Sequence, residues 1–179
     1  MEFIGGLESL FRTARGSKGD MSVGVARQHN GRLGKIDNCQ VAVFAALGCG
    51  DRASLIGARL YLPQDWCQDA ERCRKAGIPE EARPFKTKSQ LALELVKEQR
   101  ALGIRFDWIS ADAGYGKEPA FLRALDDAGE KFVIDVHRTQ RIWLDNPWPQ
   151  VPIPGGPGCH PTRLCATSKP VTAEAWAAT

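Results

Sequence analysis

The period of the hydrophobic pattern changes along this chain. Within residues 22–63, apolar positions alternate or run in short blocks between glycine-bearing turns, which predicts strands. Val23 and Val25 suggest a strand over 22–26. The Asn30-Gly31 pair within 29–34 suggests a tight turn. The apolar run 39–47 is the returning strand, the GCGD turn at 48–51 follows, and 53–63 supplies a third strand. Three antiparallel strands in a meander are the simplest reading.

Residues 63–88 are polar and broken by Pro63, Gly77, Pro79 and Pro84, which predicts a surface excursion with a short helix over 68–76. A helical period then takes over. Thr87 and Gln90 form a capping-box pattern, Leu91, Ala92, Leu95, Val96 and Leu102 share one face, and Gly103 is placed to end the helix. The run FDWISADAGYG, 106–116, reads as a short apolar strand ending on Asp112 and a glycine-bracketed turn. Pro119 suits the first position of a helix over 119–128 with Phe121, Leu122 and Leu125 inward, closed by Gly129. A largely buried strand, 132–136, comes next. Strand, turn, helix, strand favours a parallel β-α-β unit. The proline-rich stretch 147–161 reads as a linker, and 168–179 as the opening of a further element.

Of 179 residues, 43% are hydrophobic, enough for one substantial core. Lysine and arginine total 24 against 21 acids, so charge decides little about partners. Cysteines 39, 49, 67, 73, 159 and 165 form no CxxC pair, which favours reduced thiols over a zinc ribbon or disulfide framework. Cys159, His160 and Cys165 fit no common metal spacing. No apolar run approaches membrane-spanning length, and the first residues lack a secretory layout. A soluble, cytoplasmic protein without a membrane partner is expected.

Asp112 is the candidate for chemistry, because ligands of open parallel sheets sit outside the carboxyl ends of the strands. Capping the following turn is the plainer role for such an aspartate. Gly114 and Gly116 read as turn residues, since no Lys-Ser/Thr follows to complete a phosphate loop. Tyr115 suits either stacking or the core edge. His29, His137 and His160 share no ligand or triad spacing. Arg138 and Arg141, with Trp143 and Trp148, suit either a nucleic-acid surface or a solvated rim and linker staples. Arg27, Arg32 and Lys35 carry the same ambiguity.

At SVGVARQHNGRLGKIDNCQVAVF, RLYLPQDW, FKTKSQLALELV and WISADAGYG, from about Lys18 onward, the sequence resembles bacterial transposases of the insertion sequence 701 type, members of the DDE superfamily. The resemblance implies an α/β fold with a ribonuclease-H-like mixed sheet, an antiparallel meander plus parallel strands, with flanking helices and incomplete at both ends. It implies an atypical segment at 1–19, a partial core at 20–141, and a linker with the start of a truncated insertion region at 142–179. In such enzymes Asp, Asp and Glu hold two divalent ions, Mg2+ or Mn2+, for phosphodiester cleavage and strand transfer. Asp112 matches the second of these acids, as catalytic residue and metal ligand. DNA at insertion-element ends is the implied partner.

Two departures qualify that implication. Where the family's first strand carries its first acid, ahead of a Lys-Gly pair matching Lys18-Gly19, this chain has Phe11 and Arg12. A first strand and first ligand are therefore expected to be missing. The third acid would fall beyond Thr179. Asp20 and Asp37 are weighed as substitutes, with turn chemistry the default. A single carboxylate holds magnesium weakly. The expectation is a transposase-derived, catalytically incomplete fragment of marginal stability. The alternative is a non-catalytic remnant that binds DNA weakly or pairs with full-length transposase.

Overall fold

The computed structural model describes residues 4–7, 22–30, 34–145, 148, 150–151, 153, 166 and 168–177. The chain divides into two compact units, Met1–Asp135 and Val136–Thr179. The first holds strands β1 (Ile4–Leu7), β2 (Ala26–Asn30), β3 (Lys35–Cys39), β4 (Val41–Cys49), β5 (Arg52–Tyr61), β6 (Trp108–Ala111) and β7 (Phe132–Ile134). Its helices are α1 (Gln64–Gln68), α2 (Ala70–Lys75), α3 (Lys88–Ala101), α4 (Ala113–Gly116) and α5 (Pro119–Asp127).

Five strands make one sheet in the order β5-β4-β1-β6-β7. β4 runs antiparallel to β5 and β1, whereas β1, β6 and β7 are parallel. A mixed α/β architecture is therefore present. The expected loss of a first strand is corrected: Ile4–Leu7 occupies the centre of the sheet, with Leu7 paired to Ala111 and Gly5 to Leu47.

The expected three-stranded meander is also corrected, because β2 and β3 form a separate two-stranded sheet and only β4 and β5 continue as a pair. Residues 22–25 are a turn and not a strand. The Val25 amide donates to the Ser22 carbonyl at 3.1 Å, and Gly24 has φ +73°. The buried Trp66 indole donates to the Val25 carbonyl at 2.8 Å, holding that turn from outside. The single helix expected over 68–76 is two, α1 and α2, parted at Asp69, whose carboxylate accepts from the Arg72 amide at 2.8 Å.

The core lies where α3 and α5 cover the sheet. On β4, Val41, Val43 and Ala45 are buried, and Leu91, Ala92, Leu95 and Val96 of α3 are buried with Val43 and Ala45 in one cluster. Complete burial of a side chain such as Leu95 stabilises by about 1.5–3 kcal/mol. Gly57 permits the close approach of α3, since a Cβ there would lie 2.9 Å from Leu95 Cδ2. α3 has the expected capping box, Thr87 Oγ1 accepting from the Gln90 amide and Gln90 Oε1 from the Thr87 amide. Gly103 has φ +79°. Leu102, expected on the inner face, is the C-cap and exposed.

β7 is shorter and less buried than expected, being an edge strand with one covered face. Phe132 and Ile134 pack on the core, whereas Val133 is 62% exposed. In the second unit, β8 (Arg141–Ile142) pairs antiparallel with β9 (Val171–Thr172), and α6 (Ala173–Ala177) follows. Most of 147–161 lies outside the described residues, as do Cys159, His160 and Cys165.

Candidate functional site

Asp112 follows β6 directly. Its neighbours Ile109 and Ala111 are anchored in the core. The glycine-bracketed turn expected after Asp112 is the short helix α4, with Asp112 as its N-cap. One carboxylate oxygen, Oδ1, accepts from the Gly114 amide at 2.7 Å, satisfying a helix-end donor. Gly114 and Gly116 have steric reasons to be glycine. A Cβ on Gly114 would lie 2.7 Å from Asp112 Oδ1, and one on Gly116 would strike the Asp135 carbonyl. Tyr115 is buried, its ring 5.3 Å from that of Phe121, so it belongs to the core.

Leu7, Ala111 and Ile134 are aligned across three parallel strands. Asp112 therefore leaves the sheet at the common carboxyl edge of β1, β6 and β7. Glu8 follows Leu7 in the sequence and lies outside the described residues.

The start of α3 reaches the same region. Ser89 Oγ donates to Glu118 Oε2 at 2.6 Å, and Glu118 follows Lys117, the C-cap of α4. Lys88 is half-buried, with Nζ 5.5 Å from the centre of the Tyr61 ring. Burial pushes the Lys88 amine below the usual lysine range. Lys117 adds to that shift, while Cys39 and Asp112 oppose it. Sequence reasoning missed Lys88, Ser89, Lys117 and Glu118 because their proximity joins segments about thirty residues apart. The available signal was a lysine at the first position of a helix, where the macrodipole disfavours a cation.

The other sequence candidates lie elsewhere. Asp37 is on β3 in the separate hairpin sheet, its carboxylate 3.7 Å from Lys35 Nζ and accepting from the Asn38 amide. Asp20, Arg32 and His160 are outside the described residues, and the His29 side chain is not described. His137 is exposed. Arg138 lies 3.8 Å from Glu174, Arg141 is in β8, and Trp143 donates to the Ser168 carbonyl at 3.2 Å. Trp148 is exposed. A cavity of about 510 Å³ lies between the hairpin and α1–α2, lined by Arg27, Asp37, Asp65, Trp66 and Arg72 among others, and Asp112 does not line it.

Among the described residues, no group of three or more histidine, cysteine, aspartate or glutamate side chains is arranged to hold a metal ion. Those residues therefore do not fit a two-metal centre. Cys39, Cys67 and Cys73 are free thiols, and no helix among the described residues is long and apolar enough to cross a membrane.

A family profile described as DDE superfamily endonuclease matches residues 13–179. The chain belongs to the DDE superfamily endonucleases. It is similar to a probable transposase for insertion sequence element IS701 from Microchaete diplosiphon, at 29% identity over 130 residues. That match covers 72% of this chain and 30% of the relative, so this DDE-superfamily chain spans under a third of its relative's length. No solved structure matches. DDE endonucleases generally use divalent metal ions.

Proposed function

We propose that this chain is a transposase-derived DNA-binding domain whose ancestral chemistry is metal-dependent cleavage and strand transfer, and which by itself is catalytically incomplete. Asp112 stands for the second acid of the family, as catalytic residue and ligand for Mg2+ or Mn2+. A ribonuclease-H-like core, 20–141, together with the N-terminal strand, presents it. The reading assigns insertion-element DNA as the partner, a cytoplasmic location, and pairing with full-length transposase as the route to further ligands.

The observation that carries this reading is the position of Asp112 at the carboxyl edge of parallel strands in a chain that belongs to the DDE endonucleases. Family membership makes DNA the relevant polyanion. The engagement of Asp112 as a cap, with no metal-holding group of acidic side chains among the described residues, favours the non-catalytic alternative, DNA contact without cleavage, when no partner is present.

The test is magnesium- or manganese-dependent nicking of supercoiled DNA by the purified chain, by Asp112→Asn, which keeps a capping oxygen, and by Asp112→Ala. The chain by itself is expected to bind without nicking. Nicking abolished in both variants would overturn the incomplete reading and place Asp112 in a working site. Absence of DNA binding by the folded chain would overturn the DNA reading itself.

A further inference from the structure

The cavity of about 510 Å³ has the β2–β3 hairpin as one wall and α1–α2 as the other. Arg27 pairs with Asn38 across the hairpin ladder, and Ile36 lies two residues before Asn38 on β3, so all three share one face of the ribbon. These three line one wall, and Asp65, Trp66 and Arg72 line the other. Both walls are held at their root. The Trp66 indole donates to the Val25 carbonyl at 2.8 Å, and Gln28 Nε2 donates to the Cys39 carbonyl at 2.7 Å. A cavity of this size falls within the range of about 300–1,000 Å³ common to small-ligand sites.

The lining says what kind of group fits. Trp66 is only 1% exposed, and the Arg72 guanidinium lies 3.8 Å from the centre of its ring. A guanidinium stacked in this way is a flat surface on which a further planar group can stack. Ile36, 61% exposed on the opposite wall, gains cover when a flat group enters. The charges balance, Arg27 and Arg72 against Asp37 and Asp65, so a phosphate would meet carboxylates as well as guanidinium groups. The cavity instead suits an uncharged planar group with both donors and acceptors on its edge, since Arg27 donates, Asp65 accepts and Asn38 does both.

A nucleobase has these properties, and within a duplex its faces are stacked and its edge is paired. We propose that the cavity between the β2–β3 hairpin and α1–α2 receives one unpaired nucleobase of single-stranded DNA, stacked on Arg72. This rests on the reading that the chain binds DNA. It adds the form of DNA and a contact that involves neither the phosphates nor Asp112.

The experiment is fluorescence anisotropy of a labelled single strand of mixed sequence, compared with the same strand made abasic throughout, over a range of potassium chloride concentrations. The full chain should bind the natural strand about five- to 150-fold more tightly. Both strands should share one slope of log affinity against log salt, because the phosphates are common to both. Ile36→Ser, Asp65→Ala and Arg72→Lys, which keeps the charge and loses the plane, should each narrow the gap between the strands. Thermal unfolding run in parallel identifies variants that fail to fold. Ile36 and Asp65 are exposed, so their variants carry the test if Arg72→Lys, at the residue that covers Trp66, unfolds.

Equal binding of the two strands by wild type, binding of duplex alone, or an undiminished gap in folded Ile36→Ser and Asp65→Ala would overturn this inference and leave the DNA reading standing. Tighter binding of both strands by Asp65→Ala would assign the cavity to a phosphate and also overturn it. Binding of labelled nucleosides, measured by equilibrium dialysis, by a chain that binds no DNA would assign the cavity to free nucleosides and overturn DNA as the source of the base. No binding of nucleosides or DNA would overturn both readings.

Discussion

Ser89 Oγ and Glu118 Oε2 are 2.6 Å apart, and their hydrogen bond ties the first turn of α3 to the residue that precedes α5. Ser89 is buried and Glu118 is half-buried, so loss of the hydroxyl leaves one carboxylate oxygen without its protein donor. Hydrogen bonds to charged groups contribute about 1.5–3 kcal/mol. Ser89→Ala is expected to lower the unfolding free energy by roughly that amount, measured by urea denaturation. Ser89→Thr, which keeps the hydroxyl, should recover part of the loss. Equal stability of Ser89→Ala and wild type would show that the bond contributes nothing net.

Gly116 has no space for a side chain, because the Asp135 carbonyl occupies the Cβ position. α4 and the end of β7 would have to separate to admit one. Gly116→Ala is expected to destabilise by more than the typical overpacking cost of about 1–3 kcal/mol, since the obstacle is backbone. Its melting temperature, or its yield of soluble chain, reports the effect. Gly129→Ala meets open space but sits at φ +70°, so its smaller cost should come from backbone strain.

The thiols make stability depend on alkaline pH. Burial, aided by the charge of Asp37, raises the Cys39 thiol above its usual range, and burial likewise raises Cys67. As pH rises, the unfolded chain therefore loses these protons before the folded chain does. The stabilisation is fully present below the ordinary thiol range and is lost as pH climbs through the raised values. Lys88 acts in the opposite sense, because a lowered amine gives up its proton in the folded chain first. Cys39→Ser should flatten the alkaline decline seen in denaturation curves, and Lys88→Gln should steepen it. Alkylation of Cys39 should lag behind that of a free cysteine at any pH near eight.

What the sequence displayed clearly was local. Thr87 and Gln90 announce the start of α3 because both halves of the capping box lie within one turn. Pro119, Phe121 and Leu125 do the same for α5. Asp112 was identifiable as a strand-end acid, and both of its readings, cap and site, remain physically compatible. Features set by distant partners were illegible. Val23 and Val25 alternate like a strand, but Trp66, forty-one residues beyond Val25, takes the Val25 carbonyl in a turn. The IGGL of β1 has two glycines and little intrinsic preference for strand, and it is extended because β4 and β6 flank it. The Ser89–Glu118 bond likewise joins residues that the sequence keeps apart.

The place of β1 also governs the order in which this fold can assemble. Its four residues are made about a hundred residues before their partners on β6, so the centre of the sheet stays open until β6 has followed. The hairpin of β4 and β5 and the helix α3 can form from neighbouring sequence, but closing β1 between β4 and β6 joins the two halves and completes the sheet. A ribosome halted before residue 108 would therefore carry a chain in which β1 has β4 on one side and an open edge on the other.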